Sequence, residues 1–193
     1  MFSANLLFKL KEQEMAQTGT KKAKNKTAAA AIEEKLNIHN KPTDAIVTSL
    51  QQQVANAFIL YLNYKHYHWQ TFGPLFRDLH RLFDEFAEEI YGTIDEMAER
   101  VRMIGQNPVS RIEEFLQTAS IKSAKPSDDM REMIREADQN SMQIIKEMRE
   151  AIKVCDNNDD PGTADVFTRF IQIHEKQEWW LRDILEKRDG LTV

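Results

Sequence analysis

Between Ile46 and Ile184 large apolar residues recur every three or four positions, in runs longer than a strand, and no stretch alternates apolar with polar. That period belongs to helices with one buried face, so the chain is committed to an all-α fold. Thr43 and Asp44 suit a helix start after Pro42, and Ile46, Leu50, Val54, Ala57 and Tyr61 carry the first helix to about Trp69, where Gly73-Pro74 breaks it. A second run holds Leu75, Leu79, Leu82, Phe86, Ile90, Ile94, Met97, Val101 and Ile104, and stops at Gly105-Gln106-Asn107-Pro108. Pro126-Ser127-Asp128 opens a third helix with Met130, Ile134, Ala137, Ile144, Met148 and Ile152, closed by the turn from Asp156 to Gly162. The fourth carries Val166, Phe170, Ile173, Trp180, Leu181 and Ile184 and ends by Gly190. Ser110 to about Leu116 forms a short helix between the second and third. The expectation is a four-helix bundle whose long connection contains a short helix.

Charge divides the chain. Residues 1–43 carry net +4 and the whole chain -5, so the remainder carries -9. Residues 1–42 read as a flexible, Lys-rich N-terminal tail and 43–193 as one domain. The stretch TGTKKAKNKTAAAA lacks the large apolar groups a core requires. Met15 is an alternative start to Met1. The first ten residues lack a basic segment and cleavage site, so no signal peptide is expected. No apolar run approaches the ~20 residues that span a bilayer. The single cysteine, Cys155, excludes an intramolecular disulfide and suits a reducing cytoplasm.

One constellation carries chemistry. His80 and Asp84 are four residues apart, as are Asp95 and Glu99, so each pair shares a helix face. Asp84 and Asp95 lie about three turns apart, on one stripe but separated by roughly 16 Å. Metal–ligand bonds of about 2 Å cannot join both pairs within one helix. The spacing is symmetric about a point between Glu89 and Ile90. Two copies packed antiparallel there bring His80 to the partner's Glu99, and Asp84 to the partner's Asp95. An isologous two-fold contact makes two such shared sites. His68, at the end of the first helix, folds back beside the second. Imidazole and carboxylate ligands without thiolate suit iron, zinc or manganese. The alternative is a set of inter-subunit ion pairs with Arg77, Arg81, Arg100 or Arg102. His66 is about 200° from His68 on the helix and faces elsewhere, with an outer-shell or second-metal role as its functional alternative. His39 and His174 have no evident ligand partner.

His68-Trp69, Gly73, Leu79-His80 and Asp84, followed by Ile94-Asp95, Met97-Ala98-Glu99-Arg100, Ile104-Gly105 and Pro108, resemble both signature segments of the Dps family. These are the DNA-protection-during-starvation mini-ferritins, and the resemblance covers roughly residues 43–188. It implies a ferritin-like bundle assembled as a hollow cytoplasmic dodecamer. It also implies a ferroxidase centre built from His68, His80 and Asp84 of one subunit with Asp95 and Glu99 of its two-fold partner. The implied reaction oxidises Fe(II), preferring hydrogen peroxide to dioxygen, stores ferric mineral and spares DNA from oxidative damage. Thr71 stands where the family usually has an aliphatic residue. Asp156, Asp159, Asp160 and Asp165 read as a turn with helix caps and, by the resemblance, as an acidic three-fold pore admitting iron; both can hold at once, and Asp165 is the best single pore candidate. Lys21, Lys22, Lys24 and Lys26 are candidates for non-specific phosphate contacts with DNA. The rival reading is a DNA-compacting nucleoid protein whose metal site is structural or filled by zinc.

Overall fold

The structure, a computed structural model, describes residues 44–186. The expectations for the tail lysines Lys21, Lys22, Lys24 and Lys26, for His39, for the start at Met1 or Met15 and for a helix reaching toward Gly190 lie outside the described residues. Five helices form: α1 (Asp44–Gln70), α2 (Phe76–Met103), α3 (Ile112–Thr118), α4 (Met130–Asn157) and α5 (Pro161–Leu185). Among the described residues there is no strand and no helix long and apolar enough to cross a membrane.

Short turns make α1–α2 and α4–α5 antiparallel hairpins, and the hairpins pack through α1 against α4 and α2 against α5. The core comes from the apolar stripes. Leu50, Val54, Leu60, Tyr64 and Tyr67 of α1 meet Phe83, Phe86, Ile90 and Val101 of α2, with Met133, Met148, Phe167 and Leu181 from the second hairpin. Each such side chain contributes about 1.5–3 kcal/mol by leaving water.

The long connection is fastened to α1 by amide side chains that the apolar period does not reveal. Gln51 donates to Asn107 O at 2.7 Å and accepts from Val109 N at 2.7 Å. Asn56 accepts from Ser120 N at 2.9 Å and donates to Ser120 Oγ at 3.0 Å and to Glu147 at 3.1 Å. Asn63 donates to Lys122 O at 2.9 Å and accepts from Ala124 N at 2.7 Å. The connection therefore runs alongside α1 in the same direction, its backbone groups satisfied one amide at a time.

Helix ends follow side-chain caps. Asp160 accepts from Thr163 N at 3.0 Å, with Pro161 in the first turn of α5, as expected. The α4 start differs from expectation. Ser127 accepts from Asp129 N at 3.1 Å and forms a preceding turn, and Asp129 caps the helix by accepting from Arg131 N at 2.8 Å. Thr71 donates to Tyr67 O at 2.7 Å, so the unusual hydroxyl closes the end of α1.

His174 is only 2 % exposed, and its Nδ1 has no partner. Burial pushes its imidazole down to about 4 from the ordinary 6.5. The unfolded chain takes up this proton as pH falls below 6.5, whereas the folded chain resists until about 4. The stability contribution is thus fully present above 6.5 and is lost across that window, to the extent of about 3 kcal/mol per protomer. Urea midpoints measured from pH 7 to pH 4 should fall in the wild type and fall less in His174→Leu. Parallel pH profiles would exclude His174 as the cause.

Candidate metal centre

His68 sits in the last turn of α1 and His80 in the second turn of α2. Gly73, at φ +86°, makes the reversal between them, a conformation that costs other residues strain. The two imidazoles stack with centroids 3.7 Å apart. His68 Nδ1 lies 2.6 Å from His80 O, and His80 Nδ1 lies 2.9 Å from His68 O. A carbonyl oxygen only accepts, so both Nδ1 atoms carry the proton. The consequence is chemical: in the neutral imidazole a proton fixed on Nδ1 leaves the Nε2 lone pair as the donor, the tautomer that a metal ligand needs. His68 O is one of the carbonyls that a helix C-terminus leaves without an intrahelical partner, so the lock also caps α1. Phe76 stacks on His80 at 5.1 Å.

Asp84 follows His80 by one turn of α2. Lys65, one turn before His68, holds it at 2.5 Å. The hydrogen bond with Lys65 is the largest effect lowering the Asp84 carboxyl below its ordinary range, and the same bond raises Lys65. The corner therefore holds two imidazoles beside a carboxylate held in its ionised form, with an ammonium where a further cation would compete.

Asp95 and Glu99 are exposed on the same unbroken helix, about three turns from Asp84. The structure thus gathers His68, His80 and Asp84 at one corner and leaves Asp95 and Glu99 apart. Among the described residues no three His, Cys, Asp or Glu side chains form a group that could hold a metal within one chain. Large apolar side chains are exposed on α2, near its midpoint, and on α1. Tyr91 is 58 % exposed and Leu62 55 %. Two of the arginines in the alternative ion-pair reading are committed elsewhere: Arg100 to Asp160 at 2.7 Å, and Arg102 to Asn107 and Gln106.

The acidic cluster divides. Asp160 caps α5 and pairs with Arg100; burial opposes its charge, but the Thr163 bonds and Arg100 outweigh burial and keep the carboxyl low. Gly162 lies under that guanidinium, where an added Cβ would stand 2.9 Å from Nη2. Asp165 is exposed and pairs with Arg169 at 2.9 Å, and Arg169 also holds Glu96. Asp156 is exposed. His66 packs edge-on to the Tyr67 ring at 5.9 Å, with its Nε2 buried and unpartnered. Trp69 is 67 % exposed next to the corner. The sequence reading missed Lys65, although its spacing from His68 would have placed it on the same helix face. It also missed the bond from the Tyr67 hydroxyl to Glu136, 69 residues away, which no local signal announces.

Residues 47–190 match the ferritin-like domain family. The chain is 36% identical over 141 residues to the DNA protection during starvation protein of Brevibacillus brevis, covering 73% of this chain and 95% of that one. The solved Dps structure from Thermosynechococcus elongatus superposes with a TM-score of 0.75 at 42% identity, covering 77% of this chain and 94% of that one. The Dps of Vibrio cholerae, described as a member of the ferritin-like diiron-carboxylate superfamily, gives a TM-score of 0.70 at 27% identity, covering 73% and 89%. Fold and sequence together define a ferritin-like four-helix bundle. The chain belongs to the Dps mini-ferritin family.

Proposed function

We propose that this protein is a ferroxidase of the Dps type. Fe(II) is the substrate, hydrogen peroxide the preferred oxidant over dioxygen, and the ferric product is stored inside a homo-oligomeric shell, a cytoplasmic dodecamer by family likeness, that protects DNA. The observation that carries the reading is the reciprocal lock between His68 and His80. It leaves Nε2 as the donor atom of each imidazole, near enough to Asp84 to be felt by its carboxylate, and imidazole with carboxylate is a donor set that suits Fe(II). Asp95 and Glu99 of a two-fold partner complete the set. The membership of the Vibrio cholerae relative in a diiron-carboxylate superfamily supports iron over zinc.

Two Fe(II) ions supply the two electrons that reduce one peroxide to water, so no hydroxyl radical is released. The Asp84 carboxylate orients the ion bound by the histidines. Lys65 must leave Asp84, or share it, before a second cation can settle there. Asp156, Asp160 and Asp165 are the pore candidates, with Asp165 foremost; Asp160 also caps α5 and pairs with Arg100, and Asp165 pairs with Arg169. DNA contact through Lys21, Lys22, Lys24 and Lys26 would be non-specific and lost with salt.

Stopped-flow ferric absorbance after mixing anaerobic protein, Fe(II) and peroxide tests the reading. Fast oxidation is expected in the wild type and its loss in Asp84→Ala/Glu99→Ala, with light scattering showing that both stay assembled. Equal slow rates in the two would overturn the enzyme reading. Metal analysis of protein purified without added iron separates an iron enzyme from a zinc-filled shell.

A further inference from the structure

Tyr67 immediately precedes His68 and Phe83 immediately precedes Asp84. Both rings are fully buried on the core side of the segments that carry the metal corner, with centroids 5.3 Å apart. The Tyr67 hydroxyl donates to Glu136 Oε2 at 2.9 Å. A phenol loses an electron far more readily when its proton can move at the same time to a base, and a carboxylate is such a base. Tyr64, equally buried, lacks this arrangement: it donates to the amide oxygen of Gln177 at 2.9 Å, which does not accept a proton near neutral pH.

We propose that Tyr67, with Glu136 as proton acceptor, is a one-electron donor to peroxide chemistry at the metal corner when a site holds a single Fe(II). The inference rests on the ferroxidase reading above. Peroxide needs two electrons to become water, and one Fe(II) supplies one. In the complete step one hydrogen peroxide, one Fe(II), the Tyr67 phenol, the Glu136 carboxylate and two protons from solvent become one Fe(III), a Tyr67 phenoxyl radical, protonated Glu136 and two waters. The O–O bond breaks, Fe(II) and Tyr67 are oxidised, and the phenol proton moves to Glu136. Without the tyrosine the missing electron would be taken from elsewhere by an escaping hydroxyl radical. Burial keeps the phenoxyl away from other solutes.

The test uses full-length assembled protein loaded with one Fe(II) per shared site, mixed with peroxide, freeze-quenched and read by electron paramagnetic resonance. A phenoxyl signal that narrows with ring-deuterated tyrosine is expected in the wild type. Its loss in Tyr67→Phe, with a severalfold rise in spin-trapped hydroxyl radical, supports the proposal. Glu136→Gln keeps the phenol and should lower the radical yield severalfold, which covers the case in which Tyr67→Phe fails to assemble. Ferric absorbance in the same samples reports the ferroxidase reading separately. Iron oxidised with no phenoxyl in the wild type, or with the same phenoxyl in Tyr67→Phe, overturns the role of Tyr67 alone. Should no iron be oxidised, the ferroxidase reading falls. Iron-free protein oxidised by azidyl radical then still decides whether Tyr67 is the oxidisable tyrosine, by the presence or absence of a phenoxyl that Tyr67→Phe removes.

Discussion

Co-assembly of two inactive variants should restore iron oxidation. His80→Ala/Asp84→Ala removes one half of every site and Asp95→Ala/Glu99→Ala removes the other, so each variant alone has no intact site. Loss of more than the 10–100-fold typical of outer-shell changes is expected in each, because these are the ligands themselves. In a mixed two-fold dimer both lesions fall in one site and the second site is wild type. Random pairing of equal amounts makes half the dimers mixed, so about a quarter of wild-type activity should return. The measurement is ferric absorbance in protein purified from co-expressed, differently tagged chains. Continued inactivity of the tandem-purified mixture would mean that the residues do not act across an interface. The structure motivates the experiment through the separation of Asp95 and Glu99 from the His68–His80 corner along one unbroken helix.

Phe83→Ala should cost about 3–5 kcal/mol, the range for removing a buried aromatic ring. Phe83 is fully buried and packs on Tyr67 at 5.3 Å and Tyr64 at 6.2 Å. It also stands between the positions that set His80 and Asp84 on α2, so Fe(II) affinity should fall with stability. Phe83→Leu fills most of the volume and should cost well under half as much. Urea midpoints of iron-free protein at one fixed concentration give the comparison, since assembly adds its own stabilisation. A loss under about 1 kcal/mol for the alanine variant would show that the neighbouring rings collapse into the space.

Most of the architecture was legible in the sequence because it is written in local terms. The apolar period, Gly73-Pro74, Gly105 with Pro108, and Asp160-Pro161 act through residues within a turn or two of each other, and the helices fall where those signals place them. The α4 start shifted to Asp129 because Ser127 spends its hydroxyl on the preceding turn. The candidate site was legible in outline, since spacing on one helix fixes which ligands share a face and which are too far apart to close a site.

The chain alone determined four helices, a crossing connection and the symmetric spacing of His80–Asp84 and Asp95–Glu99 about the middle of α2, because helix geometry converts sequence spacing directly into distance. Only the tertiary structure decided that His68 and His80 hold each other's tautomer, that Lys65 sits on Asp84, that Asp160 is tied to Arg100 and that Asn56 and Asn63 fasten the connection. Each of these joins groups brought together by packing rather than by position in a helix, and a buried polar group takes whichever partner the fold delivers, a choice that no local pattern encodes.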